Sequence, residues 1–352
     1  MKKISYSATL LLLGIVNAKA GNLDASRQSI LPLFEQGTYS EVILGAGITD
    51  VSGDDPFGVN SGDMAADAFI YGGAFKTDFD ERWSGALIFD TPFEAKARYH
   101  AGFYDGVGGH PTTKAITGLI RYKLNDNFSI YGGPRLQSHT SSADMPFLGY
   151  SLKTNTDYGL GYSVGMAYEI PEMAARVALT YNSTVHHTLK AYESGPLGDT
   201  VGQYSADTPQ SVNLDFQTGI APKTLLFGGL RWVDWSNYSV TPPQFGSLTG
   251  RPLLSYGKDV YTYTLGLGYA FTEQWSGAII ASYEPTEHVR ADPLVPYDGM
   301  KSLTLAGTYT QGPTKYTAAV TYVALGDVAT AGVGSYSDND ITLFTLKVAH
   351  NF

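Results

Sequence analysis

The sequence predicts an all-β chain, a transmembrane antiparallel β-barrel of about fourteen strands, on three observations. Apolar residues alternate with glycine or small polar residues nearly everywhere after the first twenty positions. The alternating stretches run to roughly 9–11 residues, whereas strands of soluble sheets average ~5–6. The connections between them alternate between short and long, as in barrels with tight turns at one end and loops at the other. Composition agrees. The 352 residues include 40 Gly and 25 Tyr, and only 16% are charged, against ~25% in an ordinary soluble domain. A hydrophobic fraction of 43% argues against disorder. A net charge of −10 argues against a nucleic-acid partner, which requires a basic face. The absence of cysteine excludes a disulfide scaffold, a thiolate metal site and a cysteine nucleophile.

Residues 1–20 read as a secretory signal peptide. Lys2 and Lys3 supply the positive start, Ala8 to Val16 the apolar run, and Ala18-Lys19-Ala20 the cleavage pattern, with cleavage after Ala20. The apolar run is too short to cross a bilayer as a helix, which takes ~20 residues. Export points to the bacterial cell envelope. A short N-terminal segment, residues 21–37, precedes the barrel, residues 38–352.

The strands follow in order at 38–49, 65–77, 83–99, 112–124, 128–141, 155–170, 175–190, 208–219, 224–239, 257–271, 275–285, 299–310, 315–325 and 340–352. The tenth is the clearest: Tyr261, Tyr263, Leu265, Leu267, Tyr269 and Phe271 share one face, and Thr262, Thr264, Gly266, Gly268 and Ala270 the other. One greasy face and one small or polar face fit lipid outside and a polar lumen inside. Aromatic residues flank the short turns, among them Phe79, Trp83, Tyr122, Phe128, Tyr168, Phe271, Trp275, Tyr309 and Tyr316. Such rings suit the membrane interface, apolar body inward and polar edge wet. An even strand number puts both termini on the periplasmic side. The last strand ends in Phe352 on its lipid-facing row, which resembles the signal read by bacterial barrel-assembly machinery.

Two stretches resemble the FadL-type outer-membrane transporters of long-chain fatty acids and other hydrophobic compounds. One runs from Tyr168 to Lys190 and contains Ala178-Leu179-Thr180-Tyr181-Asn182-Ser183. The other runs from Thr208 to Phe216 and is followed by Trp232-Val233-Asp234-Trp235-Ser236. The resemblance implies a fourteen-stranded barrel with an N-terminal plug. Here the segment of residues 21–37 is short and lacks the family's Asn-Pro-Ala signature, so the expectation is a reduced plug. The resemblance also implies a kink in the third strand that opens the wall sideways into the membrane. Pro92 matches that position approximately, and proline removes a ladder donor. A simple bulge at Pro92 is the alternative.

Parity places further candidates. If Leu230 and Trp232 face lipid, then Arg231, Val233 and Trp235 face inward, as do Asp90, Arg121, Arg135, Glu169, Asp215 and Lys347. Arg231 and Arg135, with Trp235 and Phe227, would form an amphipathic pocket for a carboxylate ligand, since arginine offers a bidentate partner. The competing expectation is that these arginines pair with Asp215, Glu169 and Asp90 and simply fill the lumen. Met145, Phe147 and Leu148 lie in an outer loop and would collect hydrophobic ligand, or else pack on one another. The acidic loop residues Asp50, Asp54, Asp55, Asp63, Asp338 and Asp340 read as solvated surface, because their spacing matches no calcium loop. Ser183 and His186 point to opposite sides of a strand, so no catalytic residue is assigned. No metal or cofactor is expected. The reading is a monomeric outer-membrane transporter for passive uptake of long-chain fatty acids or other hydrophobic small molecules, sitting among outer-membrane lipid and lipopolysaccharide. The alternative is a porin, a non-specific diffusion channel for small polar solutes.

Overall fold

Alternation of glycine and threonine with leucine and tyrosine closes the chain into a barrel, as a computed structural model describes it for residues 24–65, 68–287, 293–330 and 333–352. The expected signal peptide and the first residues of the N-terminal segment, up to position 23, lie outside the described residues. Fourteen antiparallel strands form the wall, each beside its sequence neighbour. They are β1 Tyr39–Asp50, β2 Ala68–Asp78, β3 Trp83–Asp90, β4 Thr112–Lys123, β5 Phe128–Thr140, β6 Asp157–Ile170 and β7 Ala175–Asn182. The second half comprises β8 Ser211–Ala221, β9 Thr224–Val233, β10 Val260–Ala270, β11 Trp275–Glu284, β12 Met300–Gln311, β13 Thr314–Leu325 and β14 Asp340–Asn351. Closure comes from β14 on β1, in register from Tyr39↔Asn351 to Asp50↔Asp340. An 11-residue strand such as β2 is about 36 Å long at ~3.3 Å per residue. A tilt of ~40° makes it roughly 28 Å tall, enough for the ~25 Å apolar band of such barrels.

The side-chain faces fall as the alternation demands. Tyr261, Tyr263, Leu265, Leu267, Tyr269 and Phe271 are exposed on the outer wall, as are Leu160, Tyr162, Val164, Met166 and Tyr168. In a bilayer these are the residues that lipid covers. Rings pair beside the short turns, Trp83 with Tyr122 at 4.5 Å and Trp275 with Tyr309 at 4.9 Å, which builds the interface girdle on that side.

Three strands end sooner than the alternation predicts. β3 stops at Asp90, β7 at Asn182 and β9 at Val233. In the first case Pro92 cannot donate to the ladder, and the chain turns inward so that Phe93 is buried and its N–H bonds Thr113 Oγ1 at 2.9 Å. In the third, Trp235–Asn237 winds into a 3-10 turn, and the Asp234 carboxylate accepts from Asn237 Nδ2 at 2.7 Å. Alternation continues past all three points, but the residues serve the outer loops instead of the wall.

Those loops fold into a cap. Short strands at 97–98, 108–109, 142–145, 150–154, 188–195 and 198–205 pair into a six-stranded sheet above the barrel. Its apolar core includes Phe93, Tyr99, Val107, Leu152, Leu189 and Trp235, and it continues into the upper lumen at Val323 and Leu343. Loop 51–65 is tied in by Asp55. Its carboxylate accepts the N–H groups of Phe57 and Val59 and, across to the next loop, Phe103 at 2.6 Å. These bonds, that from Phe103 foremost, hold its pKa below the ordinary aspartate range. Asp55 is therefore a structural tie and departs from the solvated role expected of it.

Candidate functional site

The N-terminal segment lies inside the lumen. Ile30, Leu33 and Phe34 are buried against Ala74, Ile88, Leu119 and Tyr131, inward-facing residues of β2 to β5. A single 3-10 turn, Leu31–Phe34, carries this apolar group, with Pro32 near its start. Burying each of the three larger side chains contributes roughly 1.5–3 kcal/mol. The Phe34 ring sits between the Arg121 and Arg176 guanidiniums, 4.6 and 4.3 Å from its centroid, and edge-on to Tyr131. Arg121 also pairs with Glu169. Aromatic ring and cations stabilise each other, so the short-turn end of the lumen is closed by a clamped phenylalanine.

Ahead of this turn, residues 24–28 are held by polar contacts. Arg231 Nε and Nη2 donate to the Asp24 carboxylate at 2.5 and 3.1 Å. The remaining Arg231 donors reach Ser211 Oγ, Asn213 Oδ1 and Gln28 Oε1. Ser26 Oγ donates to Asp90 Oδ2 at 2.5 Å, Arg27 Nη1 to Thr264 Oγ1 at 2.8 Å, and Ala25 N–H to the Pro92 carbonyl at 2.8 Å. Arg231 faces inward as parity requires, but its donors are taken up by Asp24 and Gln28 of the N-terminal segment and by Ser211 and Asn213 of β8. The ion pair is made with Asp24 and not with an acid of the wall.

The other predicted site residues separate. Trp235 is not beside Arg231 in the lumen. It is fully buried in the cap, edge-on to Phe93 at 5.4 Å, Tyr238 at 5.2 Å and Tyr256 at 4.9 Å, because β9 ends two residues before it. Phe227 packs on Ala278 and Ile280 across the lumen face of β10 and β11, over the space left by Gly266. Arg135 is buried, donates Nε to Thr117 Oγ1 at 2.8 Å, and leaves Nη1 without a hydrogen-bond partner among the described residues. Asp90 Oδ1 and Thr91 Oγ1 are likewise unpartnered. Ser183 Oγ donates to the Thr184 carbonyl, while His186 pairs with Asp207 at 2.7 Å.

The wall itself is interrupted. β2 pairs with β1 up to Gly47↔Ala68, but its ladder to β3 stops at Gly73↔Phe89. A cavity of about 70 Å³ fills the place of the missing pairs. Ala25, Ser26 and Ser29 of the N-terminal segment line its lumen side, and Phe69, Tyr71 and Phe89 its membrane side. Pro92 stands at the corner where the chain leaves the wall. Pro92 lies two residues beyond the end of β3, and the shortened ladder is the one between β2 and β3.

A second, larger cavity of about 810 Å³ lies between the outer loops. Met145, Phe147 and Leu148 all line it, together with Phe103, Phe245 and Tyr256. Phe147 is exposed and stacks at 5.3 Å on Phe103, whereas Met145 is buried in the cap. The cavity floor reaches Val260 and Glu284 at the loop ends of β10 and β11. No simple sequence pattern announces this cavity, because its walls come from loops far apart in the chain.

Residues 36–344 match the family model described as outer membrane protein transport protein (OMPP1/FadL/TodX). Among solved structures, the chain is similar to a Pseudomonas aeruginosa FadL homologue at 16% identity and a TM-score of 0.72, covering 91% of both chains. The Ralstonia pickettii toluene transporter TbuX aligns at 12% identity and 0.65, over 91% of this chain and 90% of that one. The Pseudomonas putida toluene transporter TodX aligns at 10% identity and 0.65, over 92% and 91%. No curated protein sequence matches the chain.

Proposed function

The chain belongs to the OMPP1/FadL/TodX family of outer-membrane transport proteins, and from that premise we propose that it moves long-chain fatty acids or similar hydrophobic molecules passively from the outer cavity into the membrane through the gap between β2 and β3. The observation that carries the reading is the interrupted ladder above Gly73↔Phe89. Its cavity has lumen residues on one side and lipid-facing aromatics on the other. A porin needs an open, charged ring. Here the clamped Phe34 and the Asp24–Arg231 pair occupy the lumen instead.

The apolar outer cavity collects the ligand, with Met145, Phe147 and Leu148 in its wall. Arg135, with its spare Nη1, meets a carboxylate head group better than Arg231, whose donors are already used. Resistance to ions follows from the filled lumen and passage of amphiphiles from the side opening.

The test is vesicle transfer. Purified protein is reconstituted, and delivery of oleate into the bilayer is followed beside ion conductance. Ser29→Trp puts an indole into the wall cavity from the lumen side. It should slow delivery about tenfold, the effect of ~1.4 kcal/mol, with binding at the outer cavity unchanged. Delivery at the wild-type rate would sink the lateral route. Large steady ion currents through the wild-type protein would instead favour the diffusion channel.

A further inference from the structure

Below the wall opening, on the lipid-facing side, the barrel carries a concavity of about 420 Å³ across β2 to β5. Its floor is formed where outward positions lack side chains, at Gly85 and Gly118, and by Pro134. Phe75, Leu87 and Ile120, all exposed, form its walls. The Phe79 ring closes its lower end by occupying the space beside Gly85. The ladder is broken there as well. β4 and β5 pair at Thr117↔Arg135 and again at Ile120↔Gly132, with no pairs between, because Pro134 has no N–H to donate.

Two facts select the occupant. The concavity lies within the outward row of apolar side chains, where the surroundings are hydrocarbon. It is also continuous with the opening, because the outward-facing pairs of β2 and β3 step directly from Gly73↔Phe89 to Phe75↔Leu87 and Thr77↔Gly85. The first of these pairs borders the opening and the other two border the concavity. The girdle pair Trp83 and Tyr122 sits just beneath, so the site belongs to the leaflet on the short-turn side.

We propose that this concavity is a fixed binding site for one acyl chain of a membrane phospholipid, held against the lower edge of the wall opening. The inference needs only that the barrel stands in a bilayer, so its test is independent of transport. The bound chain keeps hydrocarbon rather than water at the rim of the opening.

Gly118 gives a clean perturbation, because a Cβ there meets nothing within 4 Å. Gly118→Leu fills the concavity. Gly307 is also lipid-facing and equally open, but lies on β12, so Gly307→Leu is the matched control. Native mass spectrometry on protein reconstituted with palmitoyl-oleoyl phosphatidylethanolamine would count lipids that survive detergent stripping. Wild type and Gly307→Leu should each retain one lipid, with occupancy falling roughly tenfold in Gly118→Leu, equivalent to ~1.4 kcal/mol. If Gly118→Leu does not assemble, Leu87→Ala, which removes a wall, should lower retention in the same direction. Equal retention in all assembled variants, or equal loss in Gly307→Leu, would overturn the assignment.

Discussion

Replacing Asp24 by Asn should unlatch the front of the N-terminal segment without unfolding the barrel. The carboxylate is buried and takes two bonds from Arg231. Removing one partner of a buried ion pair costs ~3–5 kcal/mol, because the other charge is left buried and poorly compensated. Arg231 keeps Ser211, Asn213 and Gln28 as neutral acceptors, so the lower end of that range applies. At ~1.4 kcal/mol per decade, 3 kcal/mol lowers the docked-to-undocked ratio of residues 24–28 by about a hundredfold. The rear of the segment stays, since Ile30, Leu33 and Phe34 are held by burial. The chain has no cysteine, which makes the assay direct. Ala25→Cys, buried in the docked state, is labelled by a small impermeant thiol reagent at a rate that tracks the open population. With Asp24→Asn the labelling should rise about a hundredfold, and adding Arg231→Gln should recover part of the protection, since replacing both partners removes the stranded charge. A rise of less than about threefold in the single variant would refute the latch, as would no recovery in the pair. Ala25 and Ser26 also line the cavity between β2 and β3, so under the proposed lateral route the same variant should change oleate delivery.

Two further outcomes are expected. Arg135→Met should slow vesicle delivery of oleate several-fold and leave delivery of a neutral alkane unchanged; equal effects on both would remove Arg135 from head-group recognition. His187, in the connection after β7, is buried, and burial depresses its basicity although Asp157 beside it pulls the other way. Asp157, Asp207, His186 and the edge-on His139 are the charged or titratable groups that face it. A depressed histidine is neutral when folded, so its stabilising contribution is complete above the unfolded value of ~6.5. It is lost as pH falls from there through the lower folded value. Amide exchange in the hairpin 188–205, corrected for intrinsic rates, should therefore quicken between pH 7 and 5. His187→Gln should abolish that dependence, and its persistence in the variant would assign it elsewhere.

Period-two alternation gave the number of strands, the short turns, the girdle and the inward placing of Arg121, Arg135, Arg231 and Lys347. These follow from the sequence alone because a membrane wall imposes one rule on every residue, lipid on one side and lumen on the other. Parity failed where the wall ends. Trp235 keeps the rhythm of β9 but belongs to the cap, since nothing local distinguishes a strand from the first residues that leave it. Pro92 follows the end of β3 at Asp90, yet the interruption of the wall depends on how far β2 extends beyond β3, which is a property of register between strands. The pairing of Arg231 with Asp24 joins residues 207 positions apart, and the lipid-facing concavity joins Gly85, Gly118 and Pro134 from three strands. Sequence fixes which face each residue shows; which residues then meet across the lumen, the cap and the outer wall is decided only when the barrel closes, because closure sets the register and the N-terminal segment threads through the space that remains.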